Sequence, residues 1–259
     1  MKKSLLVLAT FLAIPALLGS CGKKEAEKPA ESSVPAEKDP NEVLEGFEDA
    51  TEITIGEKYN IAGGLTLEVG VVHKFKGKFA EGQAKDRMLY LSAHGSAISA
   101  SQHVESKWLD YKGDELPKTE YRWGTYDGWY YFTITKTEAD EHTSVVENID
   151  MANMDMPISI DSSTTVGKDL SAYGSSWYSF KVTAAGDYAI DVTGTGTGFN
   201  NARFSIFNSS FTQVTVKDDG SYYKYYFTAE QAGLYVLKVY NNSSSAISIN
   251  TVTIHSLAA

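Results

Sequence analysis

Cysteine is almost absent from this chain: Cys21 is the single one in 259 residues. No disulfide can form within it, so stability in an oxidising compartment has to come from packing. Long apolar runs are missing too, since nothing after the first twenty residues approaches the ~20 apolar residues of a membrane span. Positive charge is thin, with 23 Lys and Arg against 33 Asp and Glu and a formal net charge of -10. The basic residues are scattered, which argues against nucleic acid as a partner. Convincing helical periodicity is lacking, and so is the spacing of a catalytic triad, a metal cluster or a phosphate loop. The five histidines, at 73, 94, 103, 142 and 255, are far apart and include no i, i+4 pair. Gly194-Thr195-Gly196-Thr197-Gly198 follows a strand, but Phe199-Asn200-Asn201 does not open a helix, so the segment reads as a loop. Glu138, Asp140, Glu141 and His142 read as a solvated loop, and Asp218-Asp219 as part of a hairpin turn. The expectation is a protein without catalytic residues, metal or cofactor.

What is present begins with a targeting segment. Lys2 and Lys3 precede an uncharged stretch from Leu5 to Leu18 that is too short to span a bilayer. Leu18-Gly19-Ser20-Cys21 then resembles the lipobox of bacterial lipoproteins. That resemblance implies diacylation of Cys21 and cleavage just before it, with residues 1–20 as a removed signal peptide. Losing Lys2 and Lys3 takes the charge from -10 to -12. Each buried acyl methylene contributes roughly 0.8 kcal/mol, so two or three chains hold far better than one. The implied location is the cell envelope, with the outer membrane favoured over the inner because Gly22 stands where some inner-membrane lipoproteins carry aspartate. Residues 21–45 are rich in Lys, Glu, Pro, Ser and Ala and poor in large apolar side chains, the composition of a disordered tether. About 20 such residues span roughly 25 Å as a flexible coil. Val43, Leu44 and Phe47 are candidates for a short lead-in helix or strand.

From Glu52 onward, short alternating runs of Tyr, Phe, Val, Ile and Thr are punctuated by Gly, Asn, Asp and Ser. This pattern predicts an all-β fold of two consecutive β-sandwich domains, jelly-roll or immunoglobulin-like, at residues 46–156 and 157–259. In the second, Tyr178, Phe180 and Val182 alternate with polar neighbours, as do Tyr188, Ile190 and Val192 after a turn at Ala185-Gly186, which predicts a hairpin. Two more hairpins are predicted, Phe211–Lys217 with Ser221–Thr228, and Leu234–Tyr240 with Ala246–Ile254. Trp177 to Val182, Gly186 to Val192, Ala202 to Phe207 and Ala232 to Tyr240 together resemble the bacterial pre-peptidase C-terminal domain. The resemblance implies a jelly-roll-like sandwich with adhesive, polymer-binding or supporting roles. That family carries acidic residues before its first aromatic strand, where this chain has Gly174-Ser175-Ser176, and an Asp-Leu-Tyr strand where it has Ala202-Arg203-Phe204, departures that leave calcium binding open. In the first domain, strands are predicted at Ile53–Ile61, Leu65–His73, Met88–Ala93 and Trp129–Thr135. The turn at Gly63-Gly64, the charged loop from Lys74 to Arg87 and the run from Trp108 to Leu116 are similar to immunoglobulin-like domains of bacterial lipoproteins.

Aromatic residues are the candidates for ligand contact. Trp123, Tyr126 and Trp129 flank a turn at Asp127-Gly128, and Tyr222 and Tyr223 adjoin the turn at Asp218-Asp219-Gly220. Exposed Trp and Tyr planes offer large contact areas with few rotors to freeze, although core or cross-strand packing is their commoner use. The resulting reading is a lipid-anchored, non-catalytic binding or adhesion module for a polysaccharide or an envelope protein. The alternatives are an assembly lipoprotein recruiting another envelope protein and, last, a hydrolase whose site one sequence does not reveal. If the anchor is correct, Cys21→Ser moves the protein from the membrane to the soluble fraction on cell fractionation. Unchanged membrane partitioning of that variant would refute the anchor.

Overall fold

Strands form wherever β-branched and aromatic residues alternate with polar ones in the computed structural model, which describes residues 37–96, 103–218 and 224–257. The first sandwich opens with β1 (Thr51–Glu52), β2 (Lys58–Thr66), β3 (Val72–Phe79) and β4 (Met88–Ser96). It continues through β5 (Val104–Leu109), β6 (Tyr121–Trp123), β7 (Gly128–Lys136) and β8 (Val145–Asn153). One sheet has the order β1-β3-β7-β5 and the facing one β2-β8-β4-β6. Phe75, Phe132 and Ile134 from the first sheet meet Leu89, Leu91 and Ile149 from the second in a shared core.

The second sandwich follows directly. It contains β9 (Asp155–Ile158), β10 (Ser163–Leu170), β11 (Ser175–Val182), β12 (Gly186–Thr195) and β13 (Ala202–Phe207). Then come β14 (Gln213–Val214), β15 (Lys217–Asp218), β16 (Lys224–Ala229), β17 (Gly233–Asn241) and β18 (Ile247–Ser256). The sheets run β14-β13-β17-β11-β9 and β10-β18-β12-β16-β15. Met154 lies between the last strand of the first sandwich and the first strand of the second. Only a single 3-10 turn, Phe199–Asn201, interrupts the strands among the described residues, so the all-β sandwich class stands.

Strand pairing differs from the predicted hairpins. β11 pairs with β17 and β9, while β12 pairs with β16 and β18, so these neighbours in sequence lie in opposite sheets. The inward residues of both, Tyr178, Phe180 and Val182 and then Tyr188, Ile190 and Val192, face each other across one core. β17 and β18 are likewise split between the sheets. Phe211–Lys217 is not one strand: β14 pairs with β13, and β15 with β16 in the other sheet. The turn proposed at Asp218-Asp219-Gly220 lies mainly outside the described residues.

In the first sandwich, Lys74–Arg87 is not a loop throughout, because β3 reaches Phe79. Its alternate residues Phe75 and Phe79 enter the core. Gly63-Gly64 is no turn but a bulge within β2, where the register against β8 shifts between Asn60 and Leu65.

The chain before residue 46 is also ordered near its end. Asn41 accepts the indole N–H of Trp129 at 3.0 Å, and Leu44 donates its N–H to the Tyr131 hydroxyl at 2.7 Å. Phe47 packs on Tyr131 with ring centroids 4.7 Å apart. Lys76, almost fully buried, donates to the carbonyls of Phe47 and Glu48 at 3.1 and 2.7 Å. Gly128 adopts φ 131°, and a Cβ there would collide with the Pro40 carbonyl. The segment from Pro40 to Phe47 is therefore a packed strap on β7, which corrects the expectation of a disordered tether at residues 40–45; residues 21–36 of that expected tether lie outside the described residues.

The two sandwiches meet through a buried charge. The Asp155 carboxylate on β9 has a side chain of 0% exposure and accepts the Met88 N–H at 2.7 Å and the Arg87 Nε–H at 3.3 Å. Arg87 Nη2 also donates to the Asp155 carbonyl. Around this pair, Trp123 stacks on Phe211 at 5.5 Å and 16°, Tyr121 meets Trp177 at 6.1 Å, and Lys181 reaches Asp86 at 3.4 Å. Asp86 and Phe211 hold φ of 58° and 56°, a conformation uncommon outside glycine that costs about 1–3 kcal/mol and persists only where surroundings dictate it. Removing one member of a buried, hydrogen-bonded ion pair strands the other. Asp155→Ala should cost about 3–5 kcal/mol and split one urea unfolding transition into two. A variant that unfolds in one transition at wild-type urea concentration would refute the role of this pair.

Candidate functional site

The aromatic residues singled out from the sequence fall into packed groups. Trp129 is 9% exposed and lies beneath the strap, with Lys76 and Lys78 over its ring at 5.6 and 5.7 Å. Tyr126 is half-buried and stacks on Tyr130 at 4.5 Å and 3°, and its hydroxyl donates to the Trp129 carbonyl at 3.1 Å. Burial first, and then the neighbouring Tyr130, push the Tyr126 phenol well above its ordinary range; burial does the same to Tyr130. Trp123 is half-buried in the junction against Phe211. The turn they flank is itself fixed. Burial tends to raise the Asp127 carboxyl, but backbone N–H groups of the 82–85 loop outweigh that and hold it below the usual aspartate range. Gly82, Ala84 and Lys85 supply three of these bonds at 3.1, 2.8 and 3.1 Å.

The expected exposure of Trp123, Tyr126 and Trp129 is thus corrected. A turn between strands normally projects into solvent, but here the strap covers Trp129, Tyr111 and Tyr130 flank Tyr126, and Phe211 of the second sandwich stacks on Trp123. Cys21, Tyr222 and Tyr223 lie outside the described residues.

Sheet edges are poor docking sites as well. β1, β6, β14 and β15 are two or three residues long. β2 and β10 are broken by register shifts, and β9 carries Pro157. β5 presents exposed Glu105 and Lys107, the latter 3.8 Å from Glu115. Short length, bulges, proline and charge are each features that oppose strand addition.

The described residues form several clefts, and two of them, one on each sandwich, are candidate sites. The larger, about 560 Å³, lies on the second sandwich where the chain crosses from β14 to β15. Its walls carry Asn208, Gln213, Gln231, Thr212, Thr228 and Tyr226. Asn208 fixes one wall by accepting the N–H groups of Ser210 and Thr212 at 3.0 Å each, and Thr228 donates to Asp187 at 2.6 Å. The smaller cleft, about 230 Å³, opens at the β5 and β6 edges of the first sandwich and includes Arg122. Burial lowers the Arg122 pKa to about 10, leaving it charged at neutral pH. Amides and hydroxyls dispersed over separate loops form no sequence motif, which is why neither cleft is visible in the chain. Among the described residues, no three His, Cys, Asp or Glu side chains are placed to share a metal ion. No described helix is long and apolar enough to cross a membrane.

No protein-family model matches the chain, and no curated protein does. Among solved structures it is similar to Salmonella Typhimurium PliG, a periplasmic lysozyme inhibitor of g-type lysozyme, at 19% identity and a TM-score of 0.29. That match covers 39% of this chain and 99% of PliG. It is also similar to Lac15 from a marine microbial metagenome, at 7% identity and a TM-score of 0.23, covering 74% of this chain and 56% of Lac15.

The packing of Trp129 gives a direct test. Trp129→Ala should lower stability by about 3–5 kcal/mol and expose the strap to limited proteolysis near Leu44. A variant with the wild-type melting temperature and proteolytic pattern would show that the indole does not hold the strap.

Proposed function

We propose that this chain is a lipid-anchored protein of the cell envelope that acts as a non-catalytic binding module, taking a neutral glycan segment in the cleft of its second sandwich. The observation that carries the reading is the lining of that cleft. Its volume of about 560 Å³ lies within the usual range of ligand sites, yet its walls are unusually rich in amides and hydroxyls. Such groups suit a ligand that offers many hydroxyls, with Tyr226 supplying an aromatic surface. Asp187, Glu230 and Lys217 mix both signs, so the cleft has no strong preference for a charged ligand. The protected edges support cleft binding over strand addition. The lipid anchor rests on the residues around Cys21.

Calorimetric titration of the mature chain with a panel of neutral oligosaccharides tests the proposal. Saturable binding that weakens about ten-fold in Gln213→Ala or Gln231→Ala is the expected result, the loss of one hydrogen-bonding group being of that order. A blank panel, or binding that neither variant changes, would refute the cleft as a glycan site.

A further inference from the structure

We infer that the cleft at the edge of the first sandwich is a binding site for a compact organic carboxylate, with Arg122 as its anchoring residue. Arg122 sits on the three-residue strand β6, directly opposite Leu89 on β4. Opposed residues in an antiparallel pair share a face, and Leu89 is fully buried in the core, so the guanidinium points between the sheets instead of into solvent. Arg122 is 7% exposed. Its Nη2 donates to the Thr119 carbonyl, whereas Nε and Nη1 are buried with no hydrogen-bond partner.

A guanidinium has five N–H donors and no acceptor, and the three on Nε and Nη1 are therefore unmatched. Buried charges in folded proteins are ordinarily paired. Among the described residues, no carboxylate is hydrogen-bonded or ion-paired to this one: Glu120, which also lines the cleft, lies 3.3 Å from the Ser92 hydroxyl. Turning the unmatched edge into the cleft breaks the bond from Nη2 to the Thr119 carbonyl.

The surroundings select the class of anion. Lys118 adds a second positive charge against the one negative charge of Glu120, leaving the cleft net positive, and Ser106 and Ser92, the latter donating to Glu120, add hydroxyls. Trp108 and Phe132, with centroids 4.5 Å apart, form an apolar wall beside them. A carboxylate attached to a short apolar body matches both features: its planar oxygens meet the guanidinium in charge-assisted hydrogen bonds, and its body covers the indole. A volume of about 230 Å³ suits a small molecule. This site lies in the other sandwich from the glycan cleft, and either reading can fail alone.

The test is a thermal-shift and Trp-fluorescence titration of the mature chain with sodium benzoate and sodium acetate, against sodium chloride at equal ionic strength. The expected result is a saturable rise in melting temperature with benzoate, smaller with acetate and absent with chloride. Arg122→Met, which keeps an unbranched apolar stem in the core, should abolish the benzoate response. Lys118→Ala, at a residue of the cleft outside the core, should weaken it about two- to five-fold through loss of one charge, which keeps the test decisive if Arg122→Met fails to fold. Equal shifts from chloride and benzoate, or a benzoate response unchanged in either folded variant, would overturn the inference.

Discussion

The ion pair between Arg87 and Asp155 is the constraint on which the arrangement of this protein depends. A carboxylate removed wholly from water is tolerable only when its oxygens are met by donors, and here those donors, Arg87 and the Met88 N–H, belong to the neighbouring sandwich. Neither half satisfies the charge alone. Around it, Trp123 and Phe211 lie at stacking distance, and Asp86 and Phe211 adopt positive φ in turns fixed by the backbone bonds Asp86 N–H to Gly124 and Phe211 N–H to Asn208. The junction is thus specified by polar chemistry and filled by aromatic surface.

How much of this was legible in the sequence depends on the kind of question asked. Period-two alternation identified the inward residues of β11 and β12, and each of Tyr178, Phe180, Val182, Tyr188, Ile190 and Val192 is buried. Alternation says which side of a strand meets the core but nothing about which strand lies alongside it. Predicted hairpins therefore became pairs of strands facing across the core. Both arrangements bury the same residues, and a short Gly-containing turn serves either one. The aromatics failed for a different reason. Trp129 adjoins a turn, but its cover comes from Asn41, 88 positions earlier, within a segment whose composition otherwise matches a tether.

The candidate sites were less legible still. The cleft of the second sandwich is assembled from Asn208–Lys217 and from Thr228–Gln231, loops whose polar residues resemble ordinary solvated connections until the sheets bring them together. Arg122 left a fainter trace. The chain contains only three arginines, and two of them, Arg87 and Arg122, are placed where a planar cation is held away from bulk water. An arginine between Tyr121 and Trp123 in an alternating strand occupies an inward position, which is an unusual place for a charge.

The interleaved order of the second sandwich also bears on timing. β18 lies between β10 and β12 in its sheet and follows both of them in the chain. The neighbouring pairs β13 with β14 and β15 with β16 each include a strand of only two residues, too little to hold a sheet by themselves. A growing chain consequently cannot complete this sheet until β18 has been made, and pairing across so many residues is slow. Delayed closure of this kind leaves the facing edges of β10 and β12 without their shared neighbour for longer, open to mispairing with any other strand they meet.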